Sequence, residues 1–296
     1  MFTLESGFGP DQGTLNQSGR IFGRQAFVGL GTAYGTVTLG RQWTMTFYTL
    51  LDSDVIGPAA FAMGSLDPYF PNARVDNSVA YRGTFSGLTV GATYSLGRDT
   101  QATGPNPGCA GEGNPSGCKE WSGLLKYDSA DWGVSTAADV VRGGNGADTA
   151  YPGRSVTFSN ARDRDTRSYL NGYVKFAGAK VGGGVVYRKV DTVIDANDFS
   201  SKLYYLGISY PFTAAFVLDA QVLRIDHNHV LNADANMLVL RGNYNLSKRT
   251  ALYAILGRVN NGAQAAYSVS GTTAAVSAPL AGESQTGVML GMRHSF

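Results

Sequence analysis

The feature that most constrains this chain is how its segments are joined. Stretches of roughly ten residues alternate in polarity, as tilted membrane-crossing strands do, and the links between them alternate between short and long. The short links are Thr32-Ala33-Tyr34, Phe85-Ser86, Ser129-Ala130, Gly178-Ala179, Phe212-Thr213 and Ser247-Lys248-Arg249. The long ones, such as 142–166 and 261–283, are rich in Gly, Asn, Asp and Pro. A soluble sandwich has no reason to gather every long loop at one end. A barrel in an outer membrane does, with short periplasmic turns and long outer loops. The pattern predicts strands over 1–7, 20–31, 35–44, 74–84, 87–97, 120–128, 131–141, 167–177, 180–190, 201–211, 214–226, 236–246, 250–260 and 284–296. That is about 14 strands, and an even number leaves both termini on the short-turn side.

Composition narrows the medium. Only 16% of residues are charged, below the quarter or so of a soluble domain. No apolar run reaches the roughly 20 residues of a membrane helix; Ser168 to Val190 is broken by Asn171, Lys175, Lys180 and Arg188. The expectation is one all-β domain over 1–296, a transmembrane antiparallel β-barrel. In 87–97, Leu88, Val90, Ala92, Tyr94 and Leu96 share one face, and Thr89, Gly91, Thr93 and Ser95 the other. In 201–211, Tyr204, Leu206, Ile208 and Tyr210 share a face. The apolar set must meet lipid, because water in the lumen solvates the polar set. Tyr94, Tyr127, Tyr187, Tyr210 and Tyr244 near strand ends fit interfacial girdles.

Other classes of function find little support. Net charge is +2 with no basic run, which argues against a nucleic-acid partner. No GxSxG, HExxH or P-loop pattern occurs, so no enzyme, cofactor or metal is expected. The competing reading, a lipase-like barrel enzyme, would need a serine beside an outward His, and His294 has none evident. Asp226-His227-Asn228-His229 reads first as a solvated loop. Cys109 and Cys118 share one loop; a disulfide suits an oxidising compartment, and two free thiols are the alternative.

The stretch RIFGRQAFVGLGTAYGTVTLGRQWT (Arg20 to Thr44), then NARVDNSVAYRG and the closing LGMRHSF, resemble the general porins of Gram-negative bacteria, above all the β-proteobacterial type. The resemblance spans essentially the whole chain. It implies homotrimers of sixteen-stranded barrels in the cell outer membrane, among lipids and lipopolysaccharide. It also implies passive diffusion of small hydrophilic solutes and ions, a solute-specific channel being the variant reading. The terminal Phe296 resembles the signal read by the barrel-assembly machinery. MFTLESGF matches the family's third strand, so a signal peptide and two strands are expected upstream in the parent protein. Few backbone hydrogen bonds are then expected between 1–7 and 284–296.

By the same resemblance, segment 45–73 is the constriction loop that folds inward. It holds Asp52, Asp54 and Asp67 and no Lys or Arg. Arg24 and Arg74 match the basic side of the pore, and Glu5 matches an inward acid. Arg74, Asp76, Ser78, Ala80 and Arg82 share one face by parity, and Arg24, Arg74 and Arg82 are expected on the inner face around the constriction. The expectation is Asp52 or Asp54 facing Arg24 and Arg74 across water, with a transverse field that sorts ions. The plainer alternative is that these arginines are solvated lumen or rim residues. Arg41 shares parity with Val37 and Leu39 and so reads as outward. Facing lipid it would cost roughly 2–4 kcal/mol at the midplane, so a subunit interface with a neighbour's acid is expected.

Overall fold

The structure, a computed structural model, describes residues 1–295 apart from 10, 99–108, 110, 145–146, 152–153, 229–231 and 272–277. Its strands are β1 (Phe2–Glu5), β2 (Gln25–Thr32), β3 (Gly35–Trp43), β4 (Arg74–Phe85), β5 (Leu88–Ser95), β6 (Glu120–Asp128), β7 (Trp132–Arg142), β8 (Ala147–Tyr151), β9 (Arg154–Phe158), β10 (Arg164–Phe176), β11 (Ala179–Asp191), β12 (Phe199–Pro211), β13 (Phe216–His227), β14 (Ala235–Asn245), β15 (Thr250–Asn261) and β16 (Gln285–His294). Fourteen of them form one sheet in chain order, β1-β2-β3-β4-β5-β6-β7-β10-β11-β12-β13-β14-β15-β16. Every ladder is antiparallel, the wall of a transmembrane β-barrel. Each expected strand has its counterpart. The loop expected at 142–166 also carries the separate hairpin β8–β9. No β1–β16 ladder forms among the described residues, so the wall does not close on itself here. Phe296 lies outside the described residues.

Two short turns show why the hairpins are so tight. Ser86 and Gly87 take φ of 49° and 87°, and Ala177 and Gly178 take 50° and 79°. Positive φ at both central residues is the geometry whose twist matches two antiparallel strands. The outer face follows the alternation. Leu170, Val174, Leu206, Val222, Leu238, Leu256, Val288 and Leu290 are all exposed, as a lipid-facing wall requires.

The inner face departs from a simple polar lining. On β12 to β15 the inward residues Leu203, Tyr205, Leu223, Ile225, Met237, Val239, Ile255 and Val259 are buried and apolar. They are covered from inside the barrel by Ile56, Phe61, Met63 and Leu66 of segment 45–73, and by Tyr267 and Val269 of the last long loop. Each such side chain contributes about 1.5–3 kcal/mol on burial. A barrel of this kind therefore has a one-sided core, and the inward loop is its second layer.

The candidate channel wall and its inward loop

A β-bulge shapes the basic side of the wall. Gly40 pairs with Ser78 and Gln42 with Val75, so Arg41 is opposed by two residues, Asp76 and Asn77. Asn77 absorbs the extra residue at φ 48°. Alternation therefore resets. Val75 joins the face of Ser78, while Arg74 and Asp76 join the face of Arg41. The parity expected to run unbroken from Arg74 to Arg82 is corrected accordingly. The acid that neutralises Arg41 is also corrected: it is Asp76 of the same chain, at 2.5 Å. Asp76 also takes Arg20 at 2.9 Å, and Arg41 Nε donates to the Gly23 carbonyl at 2.7 Å.

The three expected pore arginines have different surroundings. Arg24 Nε lies 2.5 Å from Glu5 Oε1, and Gln25 donates to the other Glu5 oxygen at 2.8 Å. Arg74 is only 2% exposed. Its guanidinium lies 3.5 Å from the Trp43 ring centroid and donates to the Pro71 carbonyl at 2.8 Å. Arg82 is exposed on the inner face, 3.9 Å over the Tyr48 ring, with no ion pair to any described acid.

Segment 45–73 enters the barrel as the short helix α2 (Met45–Leu50), after α1 (Asn16–Gly19) in chain order. It is pinned along its length. The Met45 amide donates to Ser122 Oγ at 2.9 Å, and Thr46 Oγ1 lies 2.9 Å from both Asp139 and Tyr169. Ser53 meets the Tyr205 hydroxyl at 2.6 Å. Arg241 donates to the carbonyls of Ile56, at 2.5 Å, and Val55, at 3.0 Å. Tyr69 reaches Glu120 and Asp139, both at 2.8 Å, and Ser65 donates to the Val269 carbonyl at 2.6 Å.

The expected meeting of loop acids with Arg24 and Arg74 is absent here, because each acid is held elsewhere. Asp52 pairs with Lys126 and, at 3.6 Å, with Lys180. Asp54 accepts the Gly57 amide of its own loop at 3.0 Å. Asp67 is clasped by Arg167 through two bonds of 2.8 and 3.0 Å. Burial raises the Asp67 carboxyl, but the charges of Arg167 and then Arg188 outweigh it and bring it to about 2.

The wall gives way under the loop. Gly91, Gly182, Gly207, Gly257 and Gly287 alternate with the lipid-facing residues of their strands and so point inward. A β-carbon on Gly182 would lie 2.2 Å from the Ser53 carbonyl oxygen, and on Gly207 2.4 Å from Val55. On Gly257 it would lie 2.8 Å from Val269 and 3.0 Å from Phe61. The residues that hold the loop, Arg167, Lys126, Lys180 and Arg241 with these glycines, belong to no motif that sequence reasoning picks out. Their inward parity is the available signal.

In the outer loops, Cys109 and Cys118 are joined as a disulfide. In the exported protein neither thiol is expected to react with an alkylating reagent until reductant is added. Labelling of both without reductant would contradict the bond.

A family profile described as Gram-negative porin matches residues 1–264. The chain belongs to the Gram-negative porin family. Outer membrane porin protein 32 of Delftia acidovorans is 29% identical over 308 residues, spanning 100% of this chain and 79% of its own length. An outer membrane porin protein of Bordetella pertussis is 26% identical over 275 residues, spanning 86% of this chain and 71% of its own. Among solved structures, the anion-selective porin from Comamonas acidovorans superposes with a TM-score of 0.78 at 26% identity, over 100% of this chain and 84% of that one. The protein is thus an outer-membrane porin, and a channel rather than an enzyme.

Proposed function

We propose that this porin is a water-filled passive diffusion channel for small hydrophilic solutes with a preference for anions. Arg82 carries the reading: an exposed inward arginine with no described acid in ion-pair reach, facing the constriction loop. Two supports add to it. The loop acid nearest the lumen lysines, Asp52, is shared between Lys126 and Lys180, and Asp67 is consumed by Arg167. The solved structure from Comamonas acidovorans is described as anion-selective. A narrow aqueous gap between low-dielectric walls strengthens such uncompensated charge and raises the local concentration of the opposite ion. The functional unit in this reading is a homotrimer, seated through the apolar outer face of β1 and β2 with Phe2, Leu4, Val28 and Leu30.

The test is the reversal potential across a salt gradient in a planar bilayer. Arg24→Ala combined with Arg82→Ala is expected to lower the anion-to-cation permeability ratio about twofold or more. An unchanged ratio in channels of normal conductance would remove these arginines from the selectivity mechanism.

A further inference from the structure

The helix that carries segment 45–73 into the barrel is fixed in rotation as well as in place. Thr46 Oγ1 lies 2.9 Å from both Asp139 and Tyr169. Thr49 Oγ1 lies 3.0 Å from Ser135 Oγ and 3.1 Å from the Asn171 side-chain nitrogen. These contacts turn one side of α2 toward β7 and β10. Met45 settles where β5 has no side chain: a β-carbon on Gly91 would lie 2.5 Å from Met45 Sδ. Tyr48 follows Met45 by three positions and falls on the flank away from Thr46. Register brings Arg82 to that flank. Arg82 on β4 is the cross-strand partner of Gly91, and its guanidinium covers the Tyr48 ring, 3.9 Å from the centroid.

The Tyr48 ring belongs to a run of three. Trp43 and Phe47 are stacked with centroids 4.6 Å apart, and Phe47 meets Tyr48 edge-on at 5.3 Å. Trp43 is buried, whereas Phe47 and Tyr48 are half-buried and Arg82 is exposed. Arg82 thus stands on an aromatic surface at the lumen, with no hydrogen bond or ion pair to a described residue. Other inward cations are engaged by acids: Arg24 by Glu5, Lys126 and Lys180 by Asp52, Arg167 by Asp67 and Arg241 by Asp219.

A guanidinium laid on a ring keeps its N–H fork along its edge, which suits a carboxylate. The rings beside it suit a flat π system, because aromatic pairs gain from offset and edge-on contact beyond the apolar area they bury. A guanidinium alone takes any small anion, and an apolar patch alone takes any hydrocarbon. Side by side they favour solutes that carry both a carboxylate and an aryl ring. Binding at such a place must stay weak for a channel to conduct.

We propose that Arg82, Tyr48 and Phe47 form a lumen subsite for aromatic carboxylates. The inference rests on the reading of the channel as anion-preferring and names a solute class within it. The test uses the porin in a planar bilayer, carrying chloride current at neutral pH. Benzoate or cyclohexanecarboxylate is added, two ionised acids of equal charge and similar size that differ in the ring. Benzoate is expected to halve the chloride current at a concentration at least about threefold lower. Tyr48→Leu with Phe47→Leu should bring the two concentrations together, and Arg82→Gln should weaken block by both acids. Tyr48→Leu alone should narrow the gap, which keeps the test decisive if the double variant folds poorly. Tyr253→Leu, on the inner face of β15, should keep the wild-type ratio. Equal block by the two acids in wild type, or stronger block by the saturated one, overturns the proposal. So does an undiminished benzoate preference in the double variant. The chloride-to-potassium permeability ratio of the same wild-type channels separates the two levels of failure. A ratio above one with equal block sinks only the aromatic subsite, and a ratio below one sinks the anion reading with it.

Discussion

Replacing Arg167 with Ala should release the inward segment 45–73, giving larger and noisier single-channel currents and a destabilised protein. Arg167 is 3% exposed in its side chain and holds Asp67 on one side and Asp165, at 3.0 Å, on the other. Its guanidinium also lies 4.2 Å from the Tyr69 ring centroid. Arg188 supports Asp165 at 2.6 Å. Removing Arg167 leaves Asp67 buried without its two-bonded partner, and breaking a buried pair in this way costs about 3–5 kcal/mol. The loop can recover much of that by lifting Asp67 into the lumen water, which widens the passage. Asp67→Asn keeps the shape and removes one buried charge, so its effect should be smaller. The latch should also resist acid. Asp67 is depressed to about 2, against roughly 3.9 in an unfolded chain. Its contribution is complete above about pH 4 and is lost as pH falls through about 2. Conductance and denaturation midpoint identical to wild type in Arg167→Ala would refute the latch.

Gly182→Val is expected to have an effect of similar size through sterics alone. The new side chain would occupy the place of the Ser53 carbonyl, 2.2 Å away, with the carbonyl carbon at 2.9 Å. No rotamer relieves this, because the obstacle is backbone. The loop must move off the wall and lose the Ser53–Tyr205 hydrogen bond. Overpacking typically costs about 1–3 kcal/mol, and a rigid backbone obstacle puts this case at the upper end. Gly123→Val is the matched control, since a β-carbon there meets nothing within 4 Å. Two variants with the same single-channel conductance would show that the loop does not rest on this glycine.

How much of this was legible in the sequence follows from what alternation encodes. The period of two fixes faces, so the strands and their lipid-facing residues were readable from Leu88 to Met292. It fails where the backbone departs from it: the bulge at Asp76 and Asn77 turned Arg74 and Asp76 to the face of Arg41, which parity had not given them. Loop placement was readable only as a resemblance. Which wall residue meets Asp52 or Asp67 depends on distances across the barrel, and no local pattern encodes those. Arg167 could still have been flagged, since it falls in step with Tyr169 and Asn171, opposite to Leu170. The apolar inner face of β12 to β15 was the clearest unread signal. Leu203, Leu223, Met237 and Ile255 make sense on an inward face only if something packs over them.

Chain-order pairing also sets the sequence of events by which such a molecule is made. Apart from the inserted hairpin β8–β9, every ladder of the wall joins strands adjacent in the chain. The loop, by contrast, bonds to partners far away: Ser65 to Val269 over 204 positions and Arg241 to Ile56 over 185. Closing long separations costs more chain entropy and slows folding. Strand pairs therefore zip early, one hairpin onto the next, and the loop docks only after β14 to β16 have arrived. The barrel interior forms open and is filled last, so the finishing step of folding is the docking of segment 45–73 onto the wall.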